Sequence, residues 1–165
     1  MFYAFFGGFY PGEGFFYCIK ISRNIDPACG SGNFLTETYL SLRRLENRVI
    51  SELHQGQIVF DLGSPIQVSI SQFYGIEIND FAVTVAKTAL WIAESQMMKE
   101  TEDVVHMALD FLPLKTNASI IEGNALRMDW ESVVPKAELN YIMGNEAVIC
   151  GLTPEKACNF KEFAA

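Results

Sequence analysis

A doubly wound α/β domain built on a mostly parallel sheet is the fold this sequence predicts, and three observations predict it. Short apolar stretches alternate with two long stretches of helical periodicity, in the order strand, helix, strand, helix, strand, connection, strand. A glycine-rich turn stands between the first strand and the first helix, where such folds hold their ligands. The 165 residues are 50% hydrophobic, 13% aromatic and 19% charged, a composition that supports one domain with a sizeable core.

The elements follow in order. Residues 1–17, MFYAFFGGFYPGEGFFY, hold nine aromatics among glycines without strand or helix periodicity, so an irregular arm is expected. CIKISRNI (18–25) alternates Ile19 and Ile21 with polar positions and then reaches Ile25, which predicts a first strand. From Asn33 to about Ile50, Leu35, Tyr39, Leu42, Leu45 and Val49 recur at helical spacing with charges between them. Gly56, Gly63 and Pro65 mark 51–66 as a loop, and QVSISQFYGIEI (67–78) predicts the second strand. Asn79 or Asp80 can cap a second helix, FAVTVAKTALWIAESQMMKE, dense enough in apolar residues to lie against a sheet. A mixed connection over 100–116 leads to short strands in ASIIEGN (118–124) and LNYIMGN (139–145).

Charge and cysteine usage exclude several classes. A formal net charge of −8 opposes binding to polyanions, because nucleic-acid affinity rests largely on Lys and Arg neutralising phosphates. Cys18, Cys29, Cys150 and Cys158 form no CxxC pair and have no nearby His, so neither a zinc site nor a disulfide framework is indicated, and a reducing, cytoplasmic location is expected. The aromatic start has no basic n-region and is interrupted by Pro11 and Glu13, which argues against a signal peptide or a membrane anchor. His54 and His106 lack partners at metal or catalytic spacing and are expected at the surface, while Met97, Met98 and Met107 are expected to fill core or helix ends. No metal site is predicted.

The most informative stretch is DPACGSGNFL, residues 26–35. Two glycines flanking a small residue let the backbone turn tightly and approach a ligand, and the following helix offers amide N–H groups at its start. Asp26, at the strand tip, can take up a cation or an amine. Val59-Phe60-Asp61-Leu62-Gly63-Ser64 has some of the same look, but it lacks a second glycine and Pro65 follows where a helix should begin, so it reads as a turn.

DPACGSGNFL resembles the first cofactor motif of adenine-specific DNA methyltransferases of restriction–modification systems, most of all the large bifunctional enzymes of the MmeI type. The likeness extends from about Asp26 to Asn145. It implies a class I, Rossmann-like sheet that binds S-adenosylmethionine, with Asp26, Ala28, Cys29, Gly30, Gly32, Asn33 and Phe34 at the cofactor. In that family an acid ends the second strand and holds the ribose hydroxyls, and YGIEIN supplies Glu77, with Ile78 placed to pack on the adenine ring. A carboxylate can accept two hydrogen bonds from a vicinal diol; a strand-end Glu that only caps the next helix is the plainer reading. The third motif usually has Asp where EGNAL has Asn124, whose amide oxygen can still accept from the adenine amino group, and Ala125 and Leu126 would line the pocket.

The family's fourth strand ends in Asn-Pro-Pro-Phe or Asp-Pro-Pro-Tyr, which holds the amine of a flipped adenine and stacks on the base. Asn145 stands at the first position and is the candidate catalytic residue, but Glu146, Ala147 and Val148 replace the prolines and the aromatic. The expected organisation is an arm and first strand over 1–24, a methyltransferase core over 25–145 and a divergent tail over 146–165. Later strands and a target-recognition domain have no counterpart, so an incomplete sheet, from truncation or a frame change in a larger gene, is expected. Three functions remain open: a site-specific adenine methyltransferase acting on double-stranded DNA, a non-catalytic cofactor-binding remnant or partner subunit completed by another chain, and a methyltransferase for protein or RNA amines.

Overall fold

The computed structural model describes residues 22–54, 66–106 and 117–144. The aromatic arm, residues 18–21 of the first predicted strand, the turn at 59–64, Met107 and Asn145 with its successors all lie outside the described residues.

Four parallel strands form the sheet: β1 (Asn24–Asp26), β2 (Phe73–Glu77), β3 (Ser119–Glu122) and β4 (Tyr141–Ile142), in the spatial order β3-β2-β1-β4. Helix α1 (Asn33–His54) joins β1 to β2, and α2 (Asp80–Val105) leads from β2 towards β3. Right-handed crossovers running one way along a sheet must all lie on one face. Accordingly Leu35 and Tyr39 of α1 and Val83, Ala86, Leu90, Ala93 and Met97 of α2 pack with Phe73 and Ile120 in one core, where the Tyr39 and Phe73 rings meet edge to face at 5.7 Å. The return from β3 to β4 runs the other way and covers the opposite face, where Ile25, Ile76 and Val134 are joined by Tyr74, Ile121, Met128 and Trp130. That return is made of two short 3-10 turns, Trp130–Ser132 and Lys136–Glu138. The α/β class with a parallel sheet is as the sequence predicts. The direction of winding reverses beside β1, and the carboxyl ends of the strands at that point are where ligands enter folds of this kind.

Several boundaries differ from the sequence expectation for identifiable reasons. β2 begins at Phe73 rather than at 67, because Ser69 and Gln72 side chains accept the amides of Ser71 and Ser69 and close a 3-10 turn over Ile70–Gln72. Val68 and Ile70 are buried all the same, so the apolar alternation is satisfied by a turn. α2 is capped by Asn79, whose Oδ1 accepts from Phe81 N at 3.0 Å and Ala82 N at 3.4 Å, and it continues five residues past Glu100 to Val105 before His106 closes it at φ 52°. α1 likewise runs on to His54.

The buried face of α1 is the larger surprise. Leu45 is 43% exposed, and the inward positions after Tyr39 are Arg43, Glu46, Asn47 and Ile50. Arg43 pairs with Glu46 and donates to Thr101 Oγ1 at 2.7 Å; Thr101 donates to Asn47 Oδ1 at 2.8 Å. Glu46 also accepts the amides of Gln67 at 2.6 Å and Val68 at 3.2 Å, tying α1 to the chain that enters β2. Thr101 belongs to this cluster, which accounts for α2 continuing through it.

Candidate functional site

The site is assembled at the carboxyl ends of β1, β2 and β3. Asp26 ends β1 and is 1% exposed. Its Oδ1 accepts from Ala28 N at 3.0 Å, while Oδ2 has no hydrogen-bond partner among the described residues. Burial pushes the Asp26 carboxyl above its ordinary range, the Ala28 amide pulls it partly back, and the nearby Glu77 charge raises it again. A buried carboxylate oxygen with no partner is a costly group that an ammonium or hydroxyl donor would relieve.

The glycine turn closes over this carboxylate. Gly30 and Gly32 have φ of +54° and +80°, a region that suits glycine. The two glycines have different surroundings. A Cβ on Gly32 would lie 2.9 Å from Ala86 Cβ, so this glycine lets α1 and α2 pack closely; a Cβ on Gly30 would meet nothing within 4 Å among the described residues. Among the described residues nothing stands over Gly30, in the turn that follows the Asp26 strand tip.

Glu77 links the turns. Its Oε2 accepts from Gly30 N at 2.9 Å and its Oε1 from Asn79 N at 3.0 Å, so it braces the β1 turn and its own exit turn at once. Each oxygen keeps a further lone pair for a diol. The side-chain cap of α2 is Asn79, and Glu77 holds the Asn79 amide. The β3 turn joins through Gly123 N, which donates to Glu77 O at 2.8 Å.

The remaining predicted residues are placed as follows. Ala28, Asn33 and Phe34 are exposed at the turn and the start of α1, and Ile78 and Leu126 are exposed beyond β2 and β3. Apolar side chains standing free at the tips of three elements can form walls of a pocket for a flat apolar group. Asn124 is half-buried and its Oδ1 accepts from Leu126 N at 3.0 Å, leaving one lone pair for a ligand. Cys29 is buried, its amide donates to Ile76 O at 3.1 Å, and burial with the Asp26 and Glu77 charges pushes its thiol up to about 12. The thiol is inert, and any part Cys29 has in a site belongs to its backbone.

Gly75 escaped the sequence reading. A Cβ there would lie 2.8 Å from Cys29 Sγ, so the glycine lets the β1 turn sit down on β2; a lone glycine inside a strand pattern is the available signal. Among the described residues there is no group of three His, Cys, Asp or Glu fit to hold a metal, and no helix long and apolar enough to cross a membrane. Two carboxylates at the tips of β1 and β2 disfavour a phosphate and suit an amine and a diol.

Known proteins share sequence and fold with most of this chain. A family model described as the MmeI DNA-methyltransferase domain matches residues 16–157, starting before and ending after the stretch that carries the motifs. The chain is 48% identical over 125 residues to DNA methyltransferase A of Bacillus subtilis, a match covering 73% of this chain and 14% of that protein. It is 34% identical over 73 residues to the adenine-specific methyltransferase PglX of Streptomyces coelicolor, covering 43% of this chain and 5% of that one. The solved structure of the type IIL restriction-modification enzyme MmeI in complex with DNA superposes with a TM-score of 0.74 and 39% identity, over 80% of this chain and 18% of that one. The chain thus spans less than a fifth of the length of each of these relatives.

Proposed function

This chain belongs to the MmeI DNA-methyltransferase domain family, and from that premise we propose that it binds S-adenosylmethionine at the tips of β1, β2 and β3 for methyl transfer to the exocyclic amine of adenine in DNA. The observation that carries the cofactor reading is the buried, unpartnered Asp26 Oδ2 at the strand tip that leads into a glycine turn, where Gly30 has no described neighbour within 4 Å of a Cβ.

The residues fit the cofactor group by group. Asp26 Oδ2 would hold the amino-acid ammonium, and the Ala28–Asn33 turn would follow the methionine end. The free lone pairs of Glu77 would accept the ribose hydroxyls. Ile78 and Leu126 would flank the adenine, and Asn124 would accept from its amino group. When bound, the cofactor supplies an electrophilic sulfonium methyl. The protein's share is to bind, to orient and to exclude water, which is positioning more than acid–base chemistry. Asn145, outside the described residues, is proposed to hold the target amine, and the similarity to an adenine-specific relative supports adenine as the target base. The proposed organisation keeps the cofactor core at 25–145, with 1–24 and 146–165 flanking it.

A second reading is favoured by one observation. Glu146, Ala147 and Val148 follow Asn145 where prolines and an aromatic would orient and stack on a flipped base. Stacking of a base on an aromatic is worth about 1–3 kcal/mol. Cofactor binding without transfer, with target recognition supplied by another chain, fits that sequence.

Calorimetry with S-adenosylmethionine followed by tritium transfer to unmethylated duplex DNA separates the readings. Binding with transfer is expected of the enzyme and binding alone of the second reading; absence of binding refutes both. Glu77→Ala should weaken cofactor affinity at least tenfold, on the order of one charge-assisted hydrogen bond; unchanged affinity would refute its role.

A further inference from the structure

The turn after β3 is held by a residue from outside it. Trp130, in the 3-10 turn that covers the far face of the sheet, packs with Ile25, Ile76, Met128 and Val134 and donates from its indole Nε1 to Ala125 O at 2.8 Å. The Ala125 carbonyl and the Leu126 amide belong to one planar peptide unit, so fixing one side of the plane fixes the other. On that other side, Leu126 N donates to Asn124 Oδ1 at 3.0 Å. The amides of Arg127 and Met128 both donate to Asn124 O, so the rest of the turn is closed independently of the indole.

We infer that Trp130 is a positioning residue for base recognition: through the Ala125–Leu126 peptide it fixes which way the Asn124 side-chain amide faces. The inference rests on the proposed cofactor site. An Asn amide can present either oxygen or nitrogen to a ligand, and the two ends have opposite hydrogen-bonding sense. Leu126 N uses one lone pair of the Asn124 oxygen and fixes its orientation, and the second lone pair remains as an acceptor. That selects a base carrying an amino group over one carrying a carbonyl. Released from the indole, the peptide can rotate, Asn124 can turn over, and the selection is lost.

The test compares S-adenosylhomocysteine with its deaminated analogue, which carries hypoxanthine in place of adenine. The wild-type chain should prefer the adenine ligand. Trp130→Phe keeps an aromatic ring and removes the N–H; it should weaken the adenine ligand about three- to tenfold, as for one hydrogen bond, and the analogue little or not at all. Equal weakening of both ligands, or no change in either, would overturn the proposal, because a merely structural role lowers both together. If wild-type protein binds neither ligand, the cofactor reading fails and the proposal with it. A second measurement covers a Trp130→Phe chain that fails to fold. Trp91 and Trp130 are the only tryptophans, so Trp91→Phe leaves Trp130 as the sole indole. Its emission should shift on saturation with the adenine ligand and less with the analogue; identical emission with and without bound adenine ligand would overturn the proposal.

Discussion

Among the buried polar groups of the described residues, those where α1 and α2 meet the chain entering β2 and the one at the carboxyl tip of β1 are completed to different degrees. In the first, Arg43, Glu46, Asn47 and Thr101 satisfy one another and two backbone amides, leaving Arg43 Nε as the one member without a partner among the described residues. In the second, Asp26 is as deeply buried, yet one carboxylate oxygen has no donor among the described residues, and Gly30 in the turn that follows has no described neighbour within 4 Å of a Cβ. A cluster closed by the chain's own groups serves the fold. A carboxylate left half-bonded at a strand tip keeps capacity for something that arrives later.

Breaking the closed cluster should have the largest effect. Glu46→Ala strands the buried Arg43 charge and frees the amides of Gln67 and Val68, and is expected to destabilise the domain by about 3–5 kcal/mol in denaturant unfolding. The double substitution Arg43→Met with Glu46→Leu removes both charges and should cost far less than Glu46→Ala alone. Equal losses would mean that the pair contributes packing only.

What could be read from the sequence divides along the same line. The glycine turn and the strand-tip acids were legible because backbone geometry leaves a mark on residue type: only glycine enters the positive-φ conformations of residues 30 and 32 at little cost. The face of α1 was not legible after Tyr39, because periodicity arguments take apolar to mean inward, and Arg43 and Glu46 invert that rule through a partner on α2, 55 residues from Glu46 at Thr101. The start of β2 was hidden by Ser69 and Gln72, whose side chains compete locally with an extended backbone. Nor could the return from β3 be read: its 3-10 turns have no long period, and Trp130 acts through one hydrogen bond to Ala125.

The two turn glycines sharpen the comparison within the site itself. Gly32→Ala should cost about 2–3 kcal/mol, from left-handed strain together with the clash against Ala86. Gly30→Ala meets no clash and should cost only about 1 kcal/mol from its backbone conformation. Cofactor affinity should follow the reverse order once folded protein is compared, because the added methyl of Gly30→Ala stands in the open space where a ligand would approach. Thermal unfolding and calorimetry on the same two variants measure both orders.

The smallest effect on stability, and the most telling, belongs to Asp26. Its folded carboxyl sits above the ordinary carboxylate range, chiefly through burial. A group raised in this way binds its proton more tightly in the folded state, so its contribution to stability is fully present below the unfolded pKa and is lost as pH rises through the folded one. Asp26→Asn removes that titration. Relative to wild type, the variant should gain stability as pH climbs through that window, when both proteins are unfolded without ligand. Adding S-adenosylmethionine should reverse the ranking, since an ammonium set against Oδ2 favours the ionised carboxylate and finds no charge in the variant. A wild-type protein that loses no stability relative to Asp26→Asn across that window would mean that the carboxylate is already satisfied by a donor or by water, and that the contrast with the Arg43 cluster does not separate structure from function.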